Sequence, residues 1–202
     1  MQSLGVLADR IASDAQWLAL ALRPRGIAET PGDFSIGGWL EDITEAAAGL
    51  RVDEGADQVF VSGLGLGGAL SVAAAAADPT VGGVATMGAP ADLMAWAGDP
   101  RRFLAHARSV GVIRSSGFPE DVDKWCREFR DIRPLTLAAA LEPRPVMVIH
   151  GSDDDVVPDL DARALANAAG TGAELRLVAG AGHHLRNDPR AIAILLGWLS
   201  RQ

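Results

Sequence analysis

The sequence predicts an α/β protein: a mostly parallel sheet with helices on both faces and a small helical cap. One domain is expected over residues 1–202, with the cap inserted at approximately 92–143. Two observations lead there. Short apolar runs alternate with longer segments of helical spacing, and parallel strands need such crossovers. Glycine-rich or chemistry-bearing stretches also stand directly after apolar runs, at 63–68, 150–158 and 180–184. Ligands of open parallel sheets bind outside the carboxyl ends of the strands, which is where those stretches would lie.

Bulk composition narrows the class. A chain of 202 residues that is 49% hydrophobic can bury a full core and is not a disordered polymer. Net charge is −8, and 17 of the 18 basic residues are Arg, scattered rather than blocked, which argues against a nucleic-acid partner. Cys126 is the only cysteine, so no intrachain disulfide can form and a reducing, cytoplasmic compartment is expected. Residues 1–14 lack the basic and apolar regions of a signal peptide, and Ala69–Ala77, the longest near-apolar stretch, is too short to span a bilayer.

Along the chain, Leu4, Leu7, Ala8 and Ile11 give an amphipathic opening helix, expected to begin at Ser3. The apolar run from Trp17 to Leu22, stopped by Arg23-Pro24-Arg25-Gly26, reads as a buried strand. Ser35 is the expected N-cap of a helix turning Ile36, Trp39, Leu40, Ile43, Ala47 and Leu50 inward. A strand at Val59 to Ser62 precedes an Ala-rich buried helix. Val81 to Met87 is a strand weakened by its paired glycines, and further strands are expected at Val146 to Ile149 and Leu175 to Val178. Asp188-Pro189 opens a last helix carrying Ile192, Leu195, Leu196 and Leu199.

Between Ala89 and Arg144 the alternation breaks. Asp99-Pro100 starts one helix there, and Glu120 to Arg130 is expected to form another. Trp96, Phe103, Phe118 and Trp125 lie in this cap and are candidates for lining a substrate pocket; the alternative is that they glue the cap to the body.

Gly63-Leu64-Gly65-Leu66-Gly67 follows a strand and precedes a helix. That is the setting of a Gly-x-Ser-x-Gly nucleophile elbow, with glycine at the serine position. The elbow backbone is strained, and glycine keeps the shape while removing the hydroxyl. Ser62 and Ser71 do not replace it, one being inside the strand and the other inside the helix. The same stretch also satisfies G-x-G-x-x-G through Gly68, with Asp92 standing 24 residues on, so a dinucleotide site is an outside alternative. Later come Gly151-Ser152-Asp153-Asp154-Asp155-Val156-Val157-Pro158 and Gly180-Ala181-Gly182-His183, an acid and then a histidine, each just past a strand. Asp155 is the natural cap for a following helix and His150 closes the strand. His183 and His184 lack a Cys or carboxylate at ligand spacing, so neither a metal nor a cofactor is expected.

On these motifs the chain resembles the esterase and monoacylglycerol-lipase-like branch of the α/β-hydrolase superfamily over essentially its whole length. The resemblance implies Asp154 as the acid, His183 as the base, Gly65 at the nucleophile position and the Leu66 N–H as one oxyanion donor. It implies a small ester or acyl ligand, with ester hydrolysis absent or very weak; a non-catalytic acyl-binding module is the alternative. It further implies a strand ending in a His-Gly oxyanion loop, lying between the strands matching Trp17 to Leu22 and Val59 to Ser62. That strand is not found in this sequence, so the sheet is expected to be N-terminally truncated and gapped. The gap would be closed by chain ahead of residue 1, by direct pairing of its two flanks, or by a strand from a partner, as in a homodimer.

Overall fold

The computed structural model describes residues 4–202, and Ser3, the expected start of the opening helix, lies outside them. Helices α1 (Leu4–Asp14) and α2 (Ile36–Val52) come first. Then follow β1 (Val59–Leu64), α3 (Leu66–Ala77) and β2 (Val81–Met87). Helices α4 (Pro100–Ser109), α5 (Val122–Asp131) and α6 (Pro134–Ala138) intervene before β3 (Val146–Gly151). The chain ends with α7 (Asp159–Ala168), β4 (Ala173–Val178) and α8 (Pro189–Leu199). The four strands are parallel and lie in the order β1-β2-β3-β4. Every loop that leaves a strand's carboxyl end therefore emerges on the same edge of the sheet.

The side-chain alternation of the strands sorts the core into two layers. Val84, Val146 and Val148 face α3, α6 and α7, packing on Val72, Ala138, Ala162 and Leu165. Ala85, Met87, Met147 and Ile149 face the other way, onto Leu195, Trp198 and Leu199 of α8, with Leu7 and Ile11 of α1 beside them. All six residues of β3 are buried, as a central parallel strand covered on both faces requires. The paired glycines of β2 have a packing reason: a Cβ on Gly83 would collide with the Phe60 ring, which sits edge-on to Trp17 and Trp198.

Short polar side chains set the helix starts. Ser35 Oγ accepts from the Gly38 N–H at 3.0 Å, Asp99 from Arg102 at 3.1 Å and Asp188 from Arg190 at 2.8 Å. Asp121 caps α5, which opens at Val122 rather than Glu120. Asp155 is not a cap. α7 begins four residues later, behind Pro158, because the intervening residues wrap around the Asp154 carboxylate.

The expected strand from Trp17 to Leu22 is absent. The segment has no regular structure and joins no ladder among the described residues, and Leu18 and Leu20 are 61% and 57% exposed. β1 is an edge strand, paired on its β2 side alone. An apolar slot of about 420 Å³ separates the two, walled by Trp17–Leu22, β1, Ile11 of α1 and Ile43 of α2. Neither the burial nor the pairing expected from its apolar composition is met: no residue of the segment is fully buried, and a strand needs a neighbour's N–H and C=O groups within reach, which the described residues do not supply. Hydrogen–deuterium exchange checks this directly. The amides of Leu18–Leu22 are expected to exchange within the dead time of a manual experiment, while those of Val146–Ile149 stay protected up to global opening. Comparable protection in both segments would contradict the open slot.

Candidate functional site

β1 runs into a single-residue turn. Gly65 sits at φ +52°, ψ −124°, its N–H donating to the Met87 carbonyl at 2.8 Å and its carbonyl accepting from Gly68 and Ala69. Any L side chain at that φ is strained, so glycine is the residue the turn tolerates best. α3 starts at once, and the Leu66 N–H is the first of the amides that a helix leaves without an internal acceptor. Ser62 lies in β1, and Ser71 is buried in α3 with its hydroxyl donating to the Gly67 carbonyl at 2.7 Å, so neither points its oxygen into the turn.

The other two groups come from neighbouring loops, because β3 and β4 are neighbours in the sheet. The loop after β3 and the loop after β4 are stitched together: Asp153 N–H donates to the Ala181 carbonyl at 3.0 Å, and Gly180 N–H to Ser152 Oγ at 2.8 Å. This brings His183 Nδ1 to 2.9 Å from Asp154 Oδ2 and 3.2 Å from Oδ1. The Val156 and Val157 N–H groups each donate to Oδ1 at 2.9 Å. Burial pushes the Asp154 carboxyl pKa up, but the donors Val157, His183 and Val156 together outweigh it and hold it below the usual carboxylate range.

His183 Nδ1 donates to a carboxylate, so in the neutral ring Nε2 is the bare nitrogen. It points at the turn after β1: a Cβ built on Gly65 would lie 3.5 Å from Nε2 and 3.8 Å from Cε1. The structure thus brings Gly65, Leu66, Asp154 and His183 to one place. His184 stacks edge-on to His183, ring centroids 5.8 Å apart, and takes no part in the pair. Among the described residues no three His, Cys, Asp or Glu side chains gather as metal ligands.

Two further residues belong here. The dyad comes from β3 and β4 but reaches the turn after β1, so it must cross the end of β2. Gly88 ends β2 at φ +61°, and a Cβ there would lie 3.3 Å from His183 Nδ1 and 3.4 Å from Asp154 Oδ2. The sequence signal was a glycine directly after an apolar run, which by itself reads only as a strand end. The other is His150, fully buried beneath Asp154.

The cap aromatics lie elsewhere. Trp125 and Phe129 are buried, and Phe34, Phe103, Trp125 and Phe129 pack mutually at centroid distances of 4.9–6.4 Å. Trp96 stacks on Phe103, and Phe118 packs on the same cluster. Trp125 Nε1–H also donates to the Phe34 carbonyl at 3.0 Å. This is the arrangement in which the rings bind cap to body. Cys126, buried in the same cluster, is a packing residue whose thiol burial pushes up. Asp92 accepts the Met94 N–H at 2.6 Å in the turn leading into the cap. The apolar slot, by contrast, runs along β1 to Gly63, Leu64 and Gly67 at the turn. A wider dish of about 600 Å³ lies beside Arg163, Asn167 and Thr171, at the opposite ends of the strands.

No family model matches the chain, and no curated protein matches it in sequence. Solved structures do match in shape. The α/β-hydrolase GrgF from Penicillium sp. sh18 superposes with TM-score 0.67 at 20% identity, over 88% of this chain and 77% of that one. A meta-cleavage product hydrolase from Pseudomonas fluorescens IP01 gives 0.66 at 19%, over 99% and 86%. The monoacylglycerol lipase of Paleococcus ferrophilus gives 0.67 at 16%, over 98% and 88%. The chain has the α/β-hydrolase fold. No helix among the described residues is long and apolar enough to cross a membrane.

The charge at Asp154 has a thermodynamic signature. Its folded pKa is depressed, so its stabilisation is present above the unfolded value of about 3.9 and is lost as pH falls through the folded value. Asp154→Asn is expected to lower stability by about 1.5–3 kcal/mol at pH 7, the worth of hydrogen bonds to a charged group. In urea unfolding at pH 3 and below the difference from wild type should shrink towards zero; a constant difference across pH would contradict the ionised role.

Proposed function

We propose that this protein is an α/β-hydrolase relative of the carboxylic-ester hydrolases in which glycine has taken the nucleophile's position, leaving ester hydrolysis absent or very weak. One observation carries the reading: His183 Nε2, backed by Asp154, lies 3.5 Å from where a Cβ on Gly65 would stand, the separation a serine there would need. An Oγ one bond beyond the 3.5 Å Cβ position falls within hydrogen-bonding reach of that nitrogen. Serine would attack an ester carbonyl, His183 would take its proton and return it to the leaving alcohol, and Asp154 would hold the ring and its charge. The Leu66 N–H, at the positive end of α3, supplies one donor for the developing oxyanion. With glycine there, the remaining chemistry is a water held between Gly65 and His183 Nε2 and deprotonated by that nitrogen.

Hydrolysis of a short-chain aryl ester by the native chain and by Gly65→Ser tests this. In other serine triads loss of the nucleophile costs about 10⁶ in turnover, so a gain on the order of 10³ or more is expected on restoring it. The variant should also be less stable by about 1–3 kcal/mol, since a side chain enters a positive-φ position. A folded variant with no gain would sink the reading.

The slot supports a second reading, a module that holds an apolar acyl ligand without turning it over. Its walls are almost wholly apolar and it ends at Gly63, Leu64 and Gly67, beneath the turn. Titrating a medium-chain fatty acid should perturb the emission of Trp17 and Trp39, both on its walls, with the ligand recovered unchanged. Unperturbed emission at millimolar ligand would remove that reading.

A further inference from the structure

His150 is a buried histidine against the acid of the dyad, and the reaction scheme above gives it nothing to do. It is the penultimate residue of β3, its side chain has no solvent exposure, and Nε2 lies 2.9 Å from the Val157 carbonyl oxygen. A carbonyl only accepts, so the neutral ring carries its proton on Nε2. That same Nε2 lies 3.4 Å from Asp154 Oδ2, whose side chain is equally closed to solvent. Oδ2 is the oxygen that receives the His183 Nδ1 proton. The Val157 amide, on the other side of the same peptide segment, donates to Asp154 Oδ1. His150 therefore touches both the loop that cradles the acid and the acid's catalytic-side oxygen.

We infer that His150 is a positioning residue: its Nε2–H fixes the turn at Val157 and the rotation of the Asp154 carboxylate, and so aims the His183 ring at the turn after β1. The inference rests on the dyad reading given above. Without this donor the Val157 carbonyl is released, the amide of the same residue that grips Oδ1 is no longer anchored, and the carboxylate and imidazole can swing together. With it, the Val157 turn is tied to β3 and Nε2 packs 3.4 Å from Oδ2, so the carboxylate that receives the His183 Nδ1 proton is bounded at both oxygens. A buried residue that merely fills space would need the ring's volume but not its N–H.

Gln and Asn substitutions separate these two roles. In His150→Gln the amide nitrogen can occupy the place of Nε2, whereas the shorter His150→Asn cannot reach it. The first readout is the far-downfield proton resonance of His183 Nδ1–H, which reports the bond to Asp154 in the native chain and needs no turnover. His150→Gln should retain it and His150→Asn should shift or lose it, with both folded by circular dichroism. If Asn does not fold, His150→Phe, which keeps volume without a donor, takes its place and should show the same loss.

The second readout is kcat and KM for the aryl ester in the Gly65→Ser background. Removing the donor should lower kcat by about 10- to 100-fold with KM little changed, as for other residues that orient a catalytic ligand, and Gln should restore it. An unshifted resonance in folded Asn or Phe variants would overturn the assignment. If Gly65→Ser is inactive, the hydrolase reading fails separately, and the resonance still decides the role of His150.

Discussion

A carboxylate taken out of water is costly unless its lone pairs are matched, and Asp154 is a carboxylate with no exposed side-chain surface. Its two oxygens collect the Val156 and Val157 amides and the His183 ring, with His150 beside them. The donors come from the loop after it and the loop after the next strand, and His150 packs against it from the strand before. Satisfying one buried charge therefore welds the carboxyl ends of β3 and β4 together and fixes where α7 can start. The crossing to the third loop depends on Gly88, since a methyl group there would press on both Asp154 and His183. Rigidity at the acid and emptiness at Gly88 and Gly65 are parts of a single arrangement.

At the other edge of the sheet the balance is different. Among the described residues β1 pairs on its β2 side alone, and facing its other side across the slot is an apolar segment that joins no ladder. Open edges with apolar side chains attract partners or ligands, and natural folds usually cover them. Here the two helix layers close the slot from above and below, and its end lies under the turn at Gly65. The chain thus holds Asp154 and His183 in a matched pair while leaving β1 supported on one side. That asymmetry links the two functional readings: the dyad favours a reaction, the slot favours a ligand.

The cap contributes stability and closure more than contact surface. Glu128 of α5 accepts the Gly37 N–H at the start of α2 at 3.0 Å, and Trp125 reaches the Phe34 carbonyl, so cap and body are joined through backbone groups as well as rings. An aromatic cluster packed edge-to-face is a large apolar burial with defined geometry. Aromatic residues between two strands of an α/β chain read equally well as pocket or as core, because composition says nothing about which face of a helix meets which neighbour.

Residue order alone was enough to place the strand–turn–helix at Gly65, the acid after β3, the histidine after β4 and most helix starts. These are local events, governed by φ preferences, capping oxygens and runs of apolar residues a few positions long. The strand from Trp17 to Leu22 was not legible as absent, since pairing depends on a partner edge that lies far away in sequence, as Val146 does from Val84. The same holds for Asp155, which local chemistry makes a cap and the neighbouring carboxylate excludes from that role. Gly88 and His150 are one residue past a strand and one residue before its end, ordinary positions in a linear reading. Their significance arises because parallel pairing lines up the ends of β2, β3 and β4, and a carboxylate buried among those ends must be matched by whatever stands there.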